Sequence, residues 1–412
     1  MTRWPEPGAD CYERGDQGGA MEESKGSALE VLRIFLRLGC SCFGGPVAHI
    51  GYFRTEFVSK RGWLAERDYA ELVGLCQFLP GPASSQVGFA IGLLRAGLPG
   101  ALAAWVGFTL PSALLLVAFA YGAGHLDGGL GQGLLHGLKL VAVAIVAQAV
   151  WGMAKSFCPD LRRAGIAVAC GLLILSAQSG AMQLVVIVLG ALAGLALCQG
   201  GGVPEPVAQM PVSRRAGLVA LGLFFLLLFG LPMLAWMPSM AMMAAFYHAG
   251  ALVFGGGHVV LPLLRDAVVA PGWVGSGAFL AGYGAAQAVP GPLFSFAAYL
   301  GTLAAPLPGP GGAALALIGI FLPGMLILLA ALPFWAALRR RPGAQAAMRG
   351  VNAAVVGLLA ASLYNPVWTS AVLRPADAAL ALVLFLLLLV AKLPPLAVVG
   401  LGALGGMGLI FI

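Results

Sequence analysis

The chain has 412 residues, of which 60% are hydrophobic and 9% charged. A soluble domain carries about a quarter charged residues, so this composition cannot cover a water-facing surface and excludes a water-soluble enzyme or a nucleic-acid binder. The formal net charge is +7, which reads partly as the positive-inside bias of membrane loops and partly favours an anionic cargo.

Residues 1–27 hold most of seven early acids (Glu6, Asp10, Glu13, Asp16, Glu22, Glu23, Glu30) together with scattered Gly and Pro. They read as a disordered acidic tail without the apolar core of a signal peptide. Residues 28–53 form an apolar, helix-periodic run interrupted at Gly44-Gly45-Pro46. Residues 67–79 and 83–97 flank Pro80-Gly81-Pro82 and are too short to cross about 30 Å of hydrocarbon comfortably. They predict a hairpin of half-helices meeting inside the membrane. Ordinary spans follow over 99–122 and 132–154, then two shorter apolar segments, 164–181 and 183–199. A Gly/Pro-rich loop and one extra apolar segment, 216–236, form a linker over 201–239. The remainder, 240–412, repeats the earlier pattern, with breaks at Gly255-Gly256-Gly257 and Pro290-Gly291-Pro292 and spans at 311–336 and 346–364.

The repeat is explicit. Phe43-Gly44-Gly45 recurs as Phe254-Gly255-Gly256 and Arg54 as Arg265, both at an offset of 211. Gln77-x-x-Pro80-Gly81-Pro82-x-x-Ser85 recurs as Gln287-x-x-Pro290-Gly291-Pro292-x-x-Ser295 at 210, and Gly137 as Gly350 at 213. The chain is therefore read as two homologous halves, 28–200 and 240–412. The loop at 124–131 has no Lys or Arg, whereas its mate contains Arg339-Arg340-Arg341. Equivalent loops then belong on opposite faces, and the lone segment 216–236 supplies the odd crossing that inversion needs. The expected fold is an all-α polytopic membrane protein. Its two halves are inverted, with broken, re-entrant helices near the membrane middle.

Broken backbone at membrane depth lines a wet cavity or is buried in protein, and breaks at matching places in two halves mark a substrate site. A half-helix starting after Pro82 offers the free N–H groups of its first turn, at the positive end of its dipole. Ser84, Ser85 and Ser295 add hydroxyls, and Gln77 and Gln287 add amide donors. Gly44, Gly45 and Gly255 to Gly257 allow close backbone approach. Together these residues form a candidate oxyanion cradle. Arg54 and Arg265 are candidates for fixed positive charge at its mouths, or for snorkelling anchors. His49 and His258 beside the glycine breaks are candidate proton carriers, or packed histidines. Lys139, inside a span and aligned with Asn352, is an intramembrane charge or a snorkelling one. Seven scattered cysteines show no metal-finger spacing and are read as packing residues. No metal or cofactor is expected, and the chain lacks a phosphate-binding loop.

Phe43-Gly44-Gly45-Pro46-Val47-Ala48-His49 with Gln77-Phe78-Leu79-Pro80-Gly81-Pro82 resembles the N-terminal half of the chromate ion transporter family. Phe254-Gly255-Gly256-Gly257-His258 with Gln287-Ala288-Val289-Pro290-Gly291-Pro292 resembles its C-terminal half, though Pro46 aligns with Gly257. The resemblance spans nearly all of the chain beyond residue 30, in the family's long, two-domain form. It implies a secondary transporter of the bacterial inner membrane that exports chromate, gives chromate resistance and is coupled to the proton motive force. A permease for sulfate, also a tetrahedral dianion, is the alternative reading, and an intramembrane enzyme the remoter one. The partners expected are chromate or sulfate, protons and the lipid bilayer, with a homodimer left open.

Overall fold

The computed structural model describes residues 26–43, 45–123, 128–176, 180–199, 212–253, 260–335 and 341–409. The tail to residue 25, residues 124–127 and 336–340, and most of the linker loop lie outside the described residues. Within them every regular element is a helix.

Helix α1 (Ala28–Ser41) opens on Ser27, whose hydroxyl accepts the Glu30 N–H at 3.1 Å and satisfies one of the four orphan donors of the first turn. After the first break α2 (Gly45–Phe53) runs into wide π-turns over Arg54–Lys60. Next come α3 (Glu66–Phe78) and α4 (Ala83–Ala123), the latter bent sharply at Ala96 and Gly97. The half closes with α5 (Gly129–Phe157), α6 (Leu161–Ser176) and α7 (Gly180–Leu197). The lone segment is α8 (Arg214–Met233). The second half runs α9 (Pro238–Ala251), α10 (Val260–Val268), α11 (Ser276–Ala286), a 3-10 turn at Leu293–Ser295, and α12 (Phe296–Leu303). It ends with α13 (Pro310–Ala331), α14 (Pro342–Ser362), α15 (Pro375–Leu389) and α16 (Pro395–Gly408). The last four all begin on a proline, at the one place in a helix where its missing N–H costs nothing.

Among the described residues five helical stretches are long and apolar enough to cross a membrane: 83–122, 129–157, 214–233, 310–334 and 342–371. On α8 the large side chains of Leu226 and Phe229 are 67% exposed. That outer surface suits hydrocarbon and would be untenable in water. The protein is a multi-pass membrane protein.

The two halves are built alike and then exchange parts. Gly39 of α1 abuts the Gly107 carbonyl of α4, and its repeat mate Gly250 of α9 abuts the Ile320 carbonyl of α13. The long helices cross over. Gly137 of α5 lies on the Gly402 carbonyl of α16, in the other half, and its mate Gly350 of α14 lies on the Gly190 carbonyl of α7. A Cβ at either position would overlap backbone, so the repeated glycine is what lets each half's terminal helices clasp the other half's long helix.

Repeat mates α5 and α14 run in opposite directions. His136, near the start of α5, pairs at 2.9 Å with Asp377, in the first turn of α15, the helix that follows α14. At the opposite end Arg163, just past α5, shares a cavity with Arg349 near the start of α14. The halves are inverted. Aromatic side chains fill each: Phe35, Phe53, Phe57 and Phe108 in the first, and Phe279, Tyr283, Phe296 and Tyr299 in the second. Of the cysteines, Cys42, Cys76, Cys170 and Cys198 are buried and Cys40 is exposed.

Candidate functional site

Each Pro-Gly-Pro turn reverses the chain between two short helices. In the first half Arg95, at the far end of the helix that leaves the turn, stacks on Trp63, which precedes α3, with 4.8 Å from guanidinium carbon to ring centre. In the second, Tyr299 of α12 donates to the Ala278 carbonyl of α11 at 3.0 Å. Both pairs are antiparallel hairpins closed at their open ends.

Each turn crosses to the other half. Gly81 donates its N–H to the Val253 carbonyl at 2.7 Å, and Gly291 donates to the Cys42 carbonyl at 2.9 Å. Val253 and Cys42 are themselves repeat mates at the 211 offset, so the pair of bonds is related by the internal two-fold. Each joins one half's proline turn to the other half's glycine break. Gly81 and Gly291 take φ of +120° and +101°, a region in which a Cβ is strained. Gly81 also lies against the Gly324 backbone of α13, and Gly291 against Ser112 of α4.

Polar side chains cluster at this crossing in the first half. His49 is 1% exposed, its ring set edge-on to Phe108, and its Nδ1 lies 3.4 Å from Ser84 Oγ. His49 Nε2 and Ser85 Oγ are buried without a hydrogen-bond partner among the described residues. Gln86 donates from Nε2 to the Pro80 carbonyl at 2.9 Å and to the Gly324 carbonyl at 2.8 Å, which ties the turn to the opposite half. In the second half Ser295 donates to the Pro292 carbonyl at 2.7 Å, so its proton is held inside the turn. Gln287 has a buried Nε2 with no partner among the described residues, whereas Gln77 is exposed on the outer face of α3. Pro80, Pro82, Pro290 and Pro292 shape the turns and give up N–H donors.

Other expected residues lie apart from the crossing. Arg54 donates from Nε to Glu66 at 2.6 Å, with both side chains 55% exposed. Its mate Arg265 is half-buried on α10 beside Asp266. Lys139 reaches Gly277 at the start of α11, about 15 Å along the helix from Gln287 at about 1.5 Å per residue. Gly44, Gly255, Gly256, Gly257 and His258 lie outside the described residues.

The halves differ in one respect that bears on motion. Gly284 of α11 packs against the Leu138 carbonyl of α5. Its repeat mate Gly74, on α3, has no atom of the described residues within 4 Å of where a Cβ would stand, and Ala70, Gly74 and Gln77 make an open face. One hairpin is docked on the opposite long helix and the other is not.

Sequence reasoning missed Gln86 and the His136–Asp377 pair. Gln86 had a signal, the polar run Ser84-Ser85-Gln86 after the turn. Asp377 is fully buried, accepts the Leu373 and Arg374 N–H groups at 2.9 Å, and meets His136 from 241 positions away. No local pattern announces such a pair.

The family model described as "Chromate transporter" matches residues 29–195 and 240–407. The chain is 28% identical over 347 residues to a "Probable chromate transport protein" of Synechococcus elongatus, covering 82% of this chain and 84% of that one. It is 28% identical to the "Chromate transport protein" of Pseudomonas aeruginosa, covering 80% and 78%, and 29% identical to that of Cupriavidus metallidurans, covering 80% of each. No solved structure matches it.

Proposed function

The chain belongs to the chromate transporter family, and from that membership we propose that it exports chromate across the bacterial inner membrane, driven by the proton motive force. The observation that carries the site assignment is the reciprocal joining of the two turns, Gly81 to Val253 and Gly291 to Cys42. A dianion leaving water must recover its hydration from fixed donors, and unspent donors lie around this crossing: Ser85 Oγ, the Gln287 amide and His49. Ser84 and the first-turn N–H groups after Pro82 complete the cradle. His49, buried against Ser84 and Phe108, is the proposed proton carrier, since its unpartnered Nε2 can take or release a proton beside the anion.

Transport follows from the asymmetry between the hairpins. With α11 docked on α5 and α3 standing open, the crossing is closed on one side. Exchanging the two arrangements, so that Gly74 docks where Val351, the mate of Leu138, presents its backbone on α14, opens the opposite side.

Everted membrane vesicles loaded under an imposed proton gradient test the reading. Chromate uptake that collapses when the gradient is dissipated, and that sulfate inhibits only at higher concentration, supports it. Sulfate uptake that chromate barely inhibits would replace it with a sulfate permease, and uptake indifferent to the gradient would remove the proton coupling.

A further inference from the structure

Away from the crossing, where α5 ends and α14 begins, a cavity of about 670 Å³ opens between Asp160, Arg162, Arg163, Leu197, Gln199 and Arg349. Its charges do not balance. Asp160 is bound by Arg163, through the backbone N–H at 2.9 Å and the guanidinium at 2.6 Å. Those bonds hold its carboxyl below the usual carboxylate range, so one acid answers one base. Arg162 donates to the Leu197 carbonyl at the end of α7, at 3.2 Å, which fixes the side chain and leaves its charge without an acidic partner among the described residues. Arg349 is more exposed to the deficit. Its Nε and Nη2 are sealed from solvent and have no hydrogen-bond partner among the described residues. A guanidinium cannot shed its proton, and charged donors left dry are costly.

The internal repeat shows what is absent. Arg349 is the mate of His136 at the 213 offset. At its own end of the molecule His136 faces the buried carboxylate of Asp377. Counting back from Asp377 by 212 to 214 lands on Arg163, Ala164 and Gly165. The place of the acid is taken by residues that bring no negative charge. Among the described residues the cavity therefore presents two guanidinium groups without an acidic partner, spaced by helix ends, where the equivalent position holds the Asp377 carboxylate.

The surroundings select the kind of anion. Leu161 is 91% exposed at the rim, and Leu189, Leu192 and Leu195 make an exposed apolar strip that leads away along α7. A ligand with a negative head and hydrocarbon tails satisfies both surfaces, and basic pockets between membrane helices suit lipid headgroups. We propose that this cavity binds the phosphate of an anionic phospholipid, with Arg349 and Arg162 gripping the phosphate oxygens and the acyl chains lying on the α7 leucines. The bound lipid supplies the counter-ion that the second half carries as Asp377, and thereby holds α6, α7 and α14 together.

The test uses the full chain purified in a neutral detergent and requires no transport assay, so it stands apart from the cargo assignment. Phosphatidylglycerol and phosphatidylcholine are titrated separately, and retained lipid is counted by native mass spectrometry. The wild type should retain phosphatidylglycerol over phosphatidylcholine, and Arg349→Gln should weaken that retention about tenfold. Arg162→Gln, at an exposed helix start, should weaken it by a smaller factor, which keeps the test sound if Arg349→Gln fails to fold. Inorganic phosphate at millimolar concentration should neither displace the lipid nor raise the melting temperature. Equal retention of both lipids, or unchanged retention in both variants, overturns the proposal. Stabilisation by inorganic phosphate that needs Arg349, without lipid preference, overturns the lipid and assigns the cavity to a soluble oxyanion.

Discussion

Gly81 and Val253 lie 172 positions apart in the chain, and a 2.7 Å hydrogen bond from the glycine N–H to the valine carbonyl joins the two halves. The internal two-fold repeats the bond as Gly291 to Cys42 at 2.9 Å. Because each bond links a turn in one half to a break in the other, a shift of either hairpin must disturb the opposite half's backbone. That is a direct physical route for coupling the two sides of a transporter.

Side chains at the two turn glycines should be disruptive. At Gly81 a Cβ would stand 2.9 Å from the Gly324 Cα, and at Gly291 2.9 Å from Ser112 Oγ, both with positive φ. The conformation alone costs about 1–2 kcal/mol. Gly81→Ala should lower the melting temperature more than Gly291→Ala, because the first Cβ meets backbone at 2.9 Å, whereas the second meets a rotatable hydroxyl at 2.9 Å and the Phe108 carbonyl only at 3.1 Å. Thermal unfolding in detergent reads the order, and the reverse order would contradict this geometry.

The two repeat serines should behave differently. Ser85 has an unspent hydroxyl at the crossing, whereas Ser295 donates inside its own turn. Ser85→Ala should raise the half-saturating chromate concentration about ten- to a hundred-fold, the equivalent of about 1.5–3 kcal/mol for a lost bond to a charged ligand. Ser295→Ala should leave that concentration near wild type and lower stability by about 1 kcal/mol. Equal changes in affinity would show that the Ser295 hydroxyl turns to the cargo.

The hairpin exchange predicts unequal effects at two repeat glycines. A Cβ at Gly284 would overlap the Leu138 carbonyl, whereas one at Gly74 has open space among the described residues. Gly284→Ala should therefore lower the melting temperature in detergent, while Gly74→Ala should leave it near wild type and still stop transport, because it blocks docking in the counterpart arrangement. Wild-type transport by Gly74→Ala would remove the exchange mechanism.

His136 and Asp377 should act as one unit. Asp377→Asn removes the charge that answers His136 and weakens three hydrogen bonds at a fully buried position. A loss of about 1–3 kcal/mol in unfolding free energy is expected, and His136→Gln on top should add little. Additive losses would mean the two residues stabilise separate contacts.

Inversion has a labelling consequence. Cysteines placed at Leu130 and Gly343, at the starts of α5 and α14, should react with an impermeant reagent from opposite faces of the membrane. Reaction from one face would contradict the antiparallel run of these helices.

The sequence alone determined the helical membrane fold, the two halves and the breaks, because each is a local property of composition or spacing. Twenty apolar residues specify a span wherever they occur, Pro-Gly-Pro stops a helix wherever it occurs, and a repeat survives as matched letters. The basic loop at Arg339 to Arg341 even carried the inversion. What the letters could not carry was which half each element would pack against. Gly137 and Gly350 were visible as a matched pair, yet only the tertiary structure showed that each receives the backbone of the other half's helix. Ser85 and Ser295 were equal in the motif, and the fold made them unequal by turning one hydroxyl onto Pro292. Likewise Gly74 and Gly284 are equivalent by repeat, but one is docked and the other open. A repeat fixes equivalent local structure, while long-range packing chooses between nearly equal arrangements, because the partners that decide it lie in the other half and leave no mark on the local pattern.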